Sequence, residues 1–259
     1  MKNRGELAVI PIAIVLIGGF LLFEFGGFPV SEPVAVPDFG SMTDVKQKKL
    51  AFFEFMLPIV RKANNEIWDE RQALKNIRLK LEQDTQLQKQ DIEYLENLNQ
   101  KYRLKAGSPL GVNDVNQLLT RVDTIPASLA LAQAANESAW GTARFARNGN
   151  NFYGIWCWAK DCGLVPDKRE AGAKHEVAAF ESVDKSVSYY LLTLNSHPAY
   201  DSLREIRSTL REREIPMTGN VLANGLISYS ERGETYVEEI QAMIRQNQLD
   251  RFTSLDNDT

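Results

Sequence analysis

The chain has 259 residues, 44% hydrophobic and 25% charged, which describes a globular protein with room for one or two domains and not a disordered or fibrous one. Thirty basic against 34 acidic residues give a formal charge of −4, with 20 acidic against 15 basic in residues 107–259, so nothing calls for nucleic-acid binding. Two cysteines and two histidines are too few for a zinc site of the C-x-x-C…C-x-x-C kind.

In chain order, Leu7 to Phe23 (LAVIPIAIVLIGGFLLF) carries no charge, comes after Lys2 and Arg4, and closes at Glu24. Extended to Phe28 it approaches the ~20 residues that cross a bilayer as a helix, and Pro11, Gly18 and Gly19 are tolerated there. The preceding positive charges place the rest of the chain across the membrane. A cleaved signal peptide is the competing expectation, but no small-x-small site comes after Phe23. The expected location is the inner (cytoplasmic) membrane, single-pass, with the remaining domain in the periplasm or facing the cell wall.

Residues 29–43 hold Pro29, Pro33 and Pro37, a composition that favours an extended linker. Residues 44–106 read as a helical arm. Leu50, Phe53, Leu57 and Val60 fall at helical spacing, and Pro58 predicts a kink or restart. Ile67, Leu74, Leu81, Leu95 and Tyr102 recur at sevens, with Gln88 interrupting. Two arrangements fit that pattern: a partial coiled coil open to self- or partner association, or an antiparallel helix pair lying on the next domain.

From 107 onward a short helix is predicted over Asn113–Arg121, then a second, ASLALAQAAN, over Ala127–Asn136 with Pro126 in its first turn. That second helix is apolar on nearly every side, which predicts burial. At its end stand Glu137-Ser138-Ala139-Trp140-Gly141. A carboxylate leaving a buried helix beside a tryptophan is desolvated, and desolvation raises a carboxyl pKa as a general acid requires. A helix-end capping or salt-bridging role fits the same residue. Cys157 and Cys162, if exported, sit at a spacing that suits a small disulfide loop; two free thiols packed beside Trp156 and Trp158 are the alternative. Ser182 caps an expected helix burying Val187, Tyr190, Leu191 and Leu194, which His197-Pro198 ends. Tyr200, Leu203, Ile206 and Leu210 mark a further helix whose Arg/Glu-rich face reads as solvated, and Glu234–Gln246 buries Val237, Ile240 and Ile244.

The segment ALAQAANESAWGTARFARNGNNFYGIW resembles the catalytic core of bacterial β-N-acetylglucosaminidases of glycoside hydrolase family 73, the flagellar-muramidase and autolysin type, and is most similar to their Bax-like membrane-anchored branch. Three blocks carry the resemblance: A-x-x-E-S-x-W-G at Ala134–Gly141, N-x-F/Y-G-I at Asn151–Ile155, and a tyrosine pair at Tyr229 and Tyr236. It spans roughly residues 108–250.

The resemblance implies an α+β, mainly α architecture: a lysozyme-like catalytic domain over residues 107–259 with a small β-lobe, preceded by the membrane helix (1–28) and the helical arm. Glu137 matches the general acid. Trp140, Phe152, Tyr153 and Gly154 match substrate-lining positions, and Tyr229 a tyrosine facing the acid; Tyr236 reads as core packing. The second carboxylate belongs in Trp156–Phe180, with Glu170 the first candidate, Glu176 the second, and Asp161 and Asp167 behind them. Attack by the substrate's own 2-acetamido oxygen is the route that needs no such carboxylate. The expected activity is hydrolysis of the β-1,4 bond between N-acetylglucosamine and N-acetylmuramic acid in peptidoglycan glycan strands, with no cofactor and no metal. Lytic transglycosylase or muramidase chemistry on the same glycan, and a non-catalytic wall-binding scaffold acting through the arm, are the competing readings.

Overall fold

The computed structural model describes residues 35–253 apart from Ala106, Ser108, Lys168, Glu170 and Ala171. The expected anchor and the first part of the proline linker lie outside the described residues. Among the described residues, no helix is long and apolar enough to cross a membrane.

Asp44 starts α1 (Val45–Glu82) by accepting the backbone N–H of Gln47 at 2.9 Å. The helix continues through Pro58, so it does not restart there. Pro58 and Glu54, whose carbonyl a residue-58 N–H would otherwise bond, are both exposed, while Phe55, Met56, Ile59 and Val60 hold the opposite face in the core.

The heptad interruption at Gln88 coincides with a turn. Asp84 adopts a left-handed conformation (φ 52°), and α2 (Lys89–Lys101) begins with the Gln88 N–H donated to Asp91 at 3.2 Å. Lys80 bonds Asp91 at 2.9 Å, and Glu70 receives Lys101 and the Tyr102 hydroxyl, each at 2.6 Å, so α2 folds back along α1. Ile67, Leu74, Leu95 and Tyr102 are buried in the same core as the helices after residue 107. The described residues from Ala35 onward form one compact unit, with α1 against α3 (Val112–Arg121), α4 (Ala127–Glu137) and α6 (Val183–Ser196). The apolar seam of the arm is consumed inside the chain. That is the antiparallel-pair arrangement, α2 lying back along α1.

After α4 come the short α5 (Arg144–Gly149) and a three-stranded antiparallel sheet, β1 (Trp156–Cys157), β2 (Gly163–Leu164) and β3 (Glu176–Ala178), in the order β1-β3-β2. Trp156 pairs with Val177 and Leu164 with Val177 from the other side. Cys157 and Cys162 are joined as a disulfide, so the free-thiol alternative falls away. Gly163 is required: a Cβ there would lie 2.0 Å from the Val177 carbonyl oxygen.

Ser182 caps α6 as expected, accepting the Lys185 N–H, and a 3-10 turn (Pro198–Tyr200) leads into α7 (Asp201–Glu212). The basic face of α7 is not solvated. Arg207, 1% exposed, donates to the carbonyls of Thr120, Arg121 and Asp123 and to Asn195 Oδ1, satisfying the open end of α3. Burial pushes its pKa down to about 10, opposed by the attraction of Asp123. Asp123 also receives Arg211 at 2.9 Å, and the surrounding guanidinium groups overcome its burial and hold its carboxyl below the usual range. A short α8 (Gly219–Leu222), a 3-10 segment (Ala223–Tyr229) and α9 (Glu234–Gln246) complete the scaffold around α4.

Candidate active site

The α4 helix is buried from Ala127 to Ala135, and it emerges from the core only at Asn136 and Glu137. Immediately after Glu137 the chain makes an unusual elbow. Ala139, Trp140 and Gly141 have φ of 48°, 60° and 75°, three successive left-handed residues, of which two carry side chains. Ser138 supports the turn, donating its hydroxyl to the Ala134 carbonyl at 2.6 Å and accepting the Gly141 N–H at 2.8 Å. Gly141 has no alternative, since a Cβ would lie 2.3 Å from the buried Phe39 ring.

Glu137 is half-buried. Its Oε1 accepts the Tyr236 hydroxyl at 2.8 Å and the Asn136 side-chain amide at 3.4 Å. A Cβ on Gly154 would come 3.3 Å from Oε2, so the missing side chain leaves that oxygen uncrowded on this side. Burial raises the Glu137 pKa, while the bonds from Tyr236 and Asn136 and the charge of Arg232 pull it back part of the way. The net effect favours the protonated acid above the ordinary carboxylate range.

Around the carboxyl lies a cluster of tyrosines. Tyr229 and Tyr236 stack with ring centroids 5.4 Å apart, and Tyr153 and Tyr190 at 3.8 Å. The Tyr200 ring stands 5.9 Å from Tyr229, and burial with the nearby Glu137 charge pushes its phenol up to about 12. Gln133, one turn before Glu137 on the same face of α4, accepts the Tyr190 hydroxyl at 2.6 Å and donates to the Tyr236 oxygen at 2.9 Å. Gln133, Tyr190 and Tyr236 were not among the expected site residues. The signal for them in the sequence was one long polar side chain at i−4 from Glu137 inside an otherwise apolar helix.

The other expected residues divide. Tyr229 is brought into the cluster, but its hydroxyl donates to the Tyr153 carbonyl at 2.8 Å and not to Glu137. Gly154 stands at Glu137, with a φ of 65° that suits glycine. Phe152 and Tyr153 do not line a cleft: they are 0% and 1% exposed, Phe152 against Phe52 and Phe55 and Tyr153 against Tyr190, because the turn sends both rings into the core. Asn151 builds that turn. Its amide donates to the Ile155 and Ala178 carbonyls, each at 2.8 Å, and its oxygen accepts the Tyr153 and Ile155 N–H groups. Trp140 packs edge-on against Phe52 and Phe53 of α1, with Lys49 Nζ 4.7 Å above its ring.

Of the second-carboxylate candidates, Glu170 lies outside the described residues. Glu176 is buried and occupied: its oxygens accept the Gly163 N–H at 2.8 Å and the Asp161 N–H at 3.3 Å, fastening the disulfide loop to β3. Asp161 and Asp167 are exposed and pair with Lys160 and Arg144. Among the described residues, one cluster brings metal-type ligand atoms within 4.8 Å of one another, Cys157, Cys162 and Glu176, and it is built as a staple.

A carboxyl group with a raised pKa at the end of a buried helix, with a hydroxyl donor on one oxygen and Gly154 beside the other, is the equipment for protonating a leaving group. The model of the glucosaminidase family, described as mannosyl-glycoprotein endo-beta-N-acetylglucosaminidase, matches residues 112–249, and the chain belongs to this family of glycoside hydrolases. Over 214 residues the chain is 32% identical to Protein bax of Escherichia coli (strain K12), an alignment covering 83% of this chain and 75% of that protein. No solved structure matches the chain.

Proposed function

We propose that the protein is a peptidoglycan hydrolase of the family 73, Bax-like type, cleaving the β-1,4 bond between N-acetylglucosamine and N-acetylmuramic acid with Glu137 as general acid. The observation that carries this reading is a half-buried Glu137 at the end of a buried helix, holding the Tyr236 hydroxyl on Oε1 with Gly154 against Oε2. Oε2 delivers its proton to the glycosidic oxygen as the C1–O bond breaks, and the resulting carboxylate is met by the hydroxyl of Tyr236.

Glu176 is committed to two backbone N–H groups, which favours the substrate-assisted route: the 2-acetamido oxygen closes on C1, and water then opens that intermediate. Tyr229, partly exposed beside Tyr236, is the group we assign to orienting the acetamido substituent or that water. The apolar run at residues 7–23 belongs to the same reading as a single-pass anchor that holds the enzyme on the wall-facing side of the membrane.

The test is release of reducing ends from purified peptidoglycan by the full chain and by Glu137→Gln. The substitution keeps the shape and removes the proton donor, and the expected loss is ~10²–10⁴-fold or more. Equal release by the two proteins would overturn the assignment.

A further inference from the structure

Glu137 has two oxygens, and the hydrogen bonds around it are directional. Tyr190 donates its hydroxyl proton to Gln133 Oε1 at 2.6 Å. The Gln133 amide nitrogen, which has only protons to offer, donates to the Tyr236 oxygen at 2.9 Å. The Tyr236 hydroxyl proton is thereby left for Glu137 Oε1, 2.8 Å away. An oxygen that accepts a hydroxyl proton along that line has no room for a proton of its own in the same direction. Oε1 also accepts the Asn136 side-chain amide at 3.4 Å, and with two donors on that oxygen the acid proton is placed on Oε2, the oxygen beside Gly154.

We infer that Gln133 and Tyr236 are positioning residues that fix which oxygen of Glu137 carries the transferable proton, placing it on the side of Gly154. This rests on the reading of Glu137 as the general acid and goes beyond it. When Oε2–H breaks, its proton forms the new O–H on the glycosidic oxygen, the electron pair of the broken C1–O bond stays with that oxygen, and the negative charge left on Glu137 is taken up by the Tyr236 hydroxyl at Oε1. The same bond therefore orients the acid before transfer and stabilises its conjugate base afterwards.

The groups facing the carboxyl fix the sign of the expected pH effect. Tyr236 and Glu239 come from α9, Arg232 from the turn before it, Tyr190 from α6, Tyr200 from the 3-10 turn and Tyr229 from the segment before α9. Arg232 is itself paired with Glu239 at 2.6 Å and lies 5.4 Å from the Tyr236 ring. Removing the donor from Oε1 leaves these charges in place and deletes a bond made to the ionised form, so the acid holds its proton to higher pH and parts with it less readily.

The experiment measures kcat and KM against pH for the full chain on soluble fragments of alternating N-acetylglucosamine and N-acetylmuramic acid. It compares the unmodified protein with Tyr236→Phe, Gln133→Leu and Glu137→Gln. In Tyr236→Phe, kcat falls about ten- to a hundredfold with KM within about twofold, and the alkaline limb of the kcat profile moves to higher pH. Gln133→Leu shows the same pattern to a smaller extent. Incorporating 3-fluorotyrosine into the unsubstituted chain strengthens the phenol as a donor and moves the limb to lower pH, a readout that does not depend on either variant folding. Limbs at the unmodified position, or a fall in kcat carried wholly by lost folded protein, would overturn the inference while an inactive Glu137→Gln leaves the general-acid reading intact. An active Glu137→Gln would sink that reading itself.

Discussion

Tyr236 reaches Glu137 across 99 residues of sequence to place its hydroxyl 2.8 Å from Oε1, joining the middle of the chain to its last long helix at a single carboxyl group. That contact opposes the desolvation that raises the acid's pKa, so the site balances two effects: burial keeps the proton on, and the phenol eases its departure.

The balance makes stability depend on pH with a defined sign. The folded pKa of Glu137 lies above the unfolded value of about 4.3. Its contribution favours the native state below that unfolded value and is lost as pH rises through the folded value. Unfolding by denaturant, measured from acid to neutral pH, is expected to show Glu137→Gln gaining stability relative to the unmodified protein as pH rises, then holding a constant difference. A difference that shrinks with rising pH contradicts the burial argument.

Tyr229→Phe removes the 2.8 Å bond to the Tyr153 carbonyl, one residue before Gly154. The expected cost is about 1 kcal/mol of stability in thermal unfolding, and about tenfold or more in kcat through the loosened turn and the lost hydroxyl. A stable, fully active variant would remove Tyr229 from the site.

Gly141→Ala tests the elbow after Glu137. The substitution meets both a left-handed backbone and the Phe39 ring, 2.3 Å from the new Cβ. Destabilisation of about 2 kcal/mol or more is expected in denaturant titrations. Adding Phe39→Ala relieves the clash but not the strained φ, so the double variant costs less than the two single changes added together. Additive costs would mean that Phe39 and Gly141 do not press on each other.

Much of this fold is legible in the residues themselves, and the exceptions have physical causes. Helices α3, α6 and α9 can be read from apolar spacing and from Ser182, because one face of each meets the core and periodicity records that face. The basic face of α7 misleads: Arg204 and Arg207 are buried to satisfy carbonyls of α3, α6 and the loops after them, and nothing in a charged residue's identity reveals that its partner is a distant helix end. Pro58 misleads for a different reason: a proline inside an apolar pattern suggests that the helix restarts, yet α1 runs on through it with Pro58 on the exposed side. At the site, Glu137 stands out through its apolar helix and motif. Tyr236 does not, because a tyrosine at core spacing looks the same whether or not its hydroxyl finds a carboxylate. Phe152 and Tyr153 carry a recognisable motif, yet the motif encodes the Asn151 turn and the place of Gly154 beside Glu137, with the two rings as ballast in the core.

The interior charge cluster offers an independent check on the scaffold. Arg207→Met is expected to cost about 3–5 kcal/mol in urea unfolding, because it strips Asp123 of one buried partner and removes a donor from the Thr120 and Arg121 carbonyls. A change below about 1 kcal/mol would place Arg207 outside the network that holds α7 to α3.

The most direct measurement is mass spectrometry of the fragments that the full chain releases from peptidoglycan, with Glu137→Gln run beside it. The expected products end in reducing N-acetylglucosamine and are absent from the Glu137→Gln digest. Fragments ending in 1,6-anhydromuramic acid or reducing N-acetylmuramic acid, or the same fragments from both proteins, would contradict a glucosaminidase that works through Glu137.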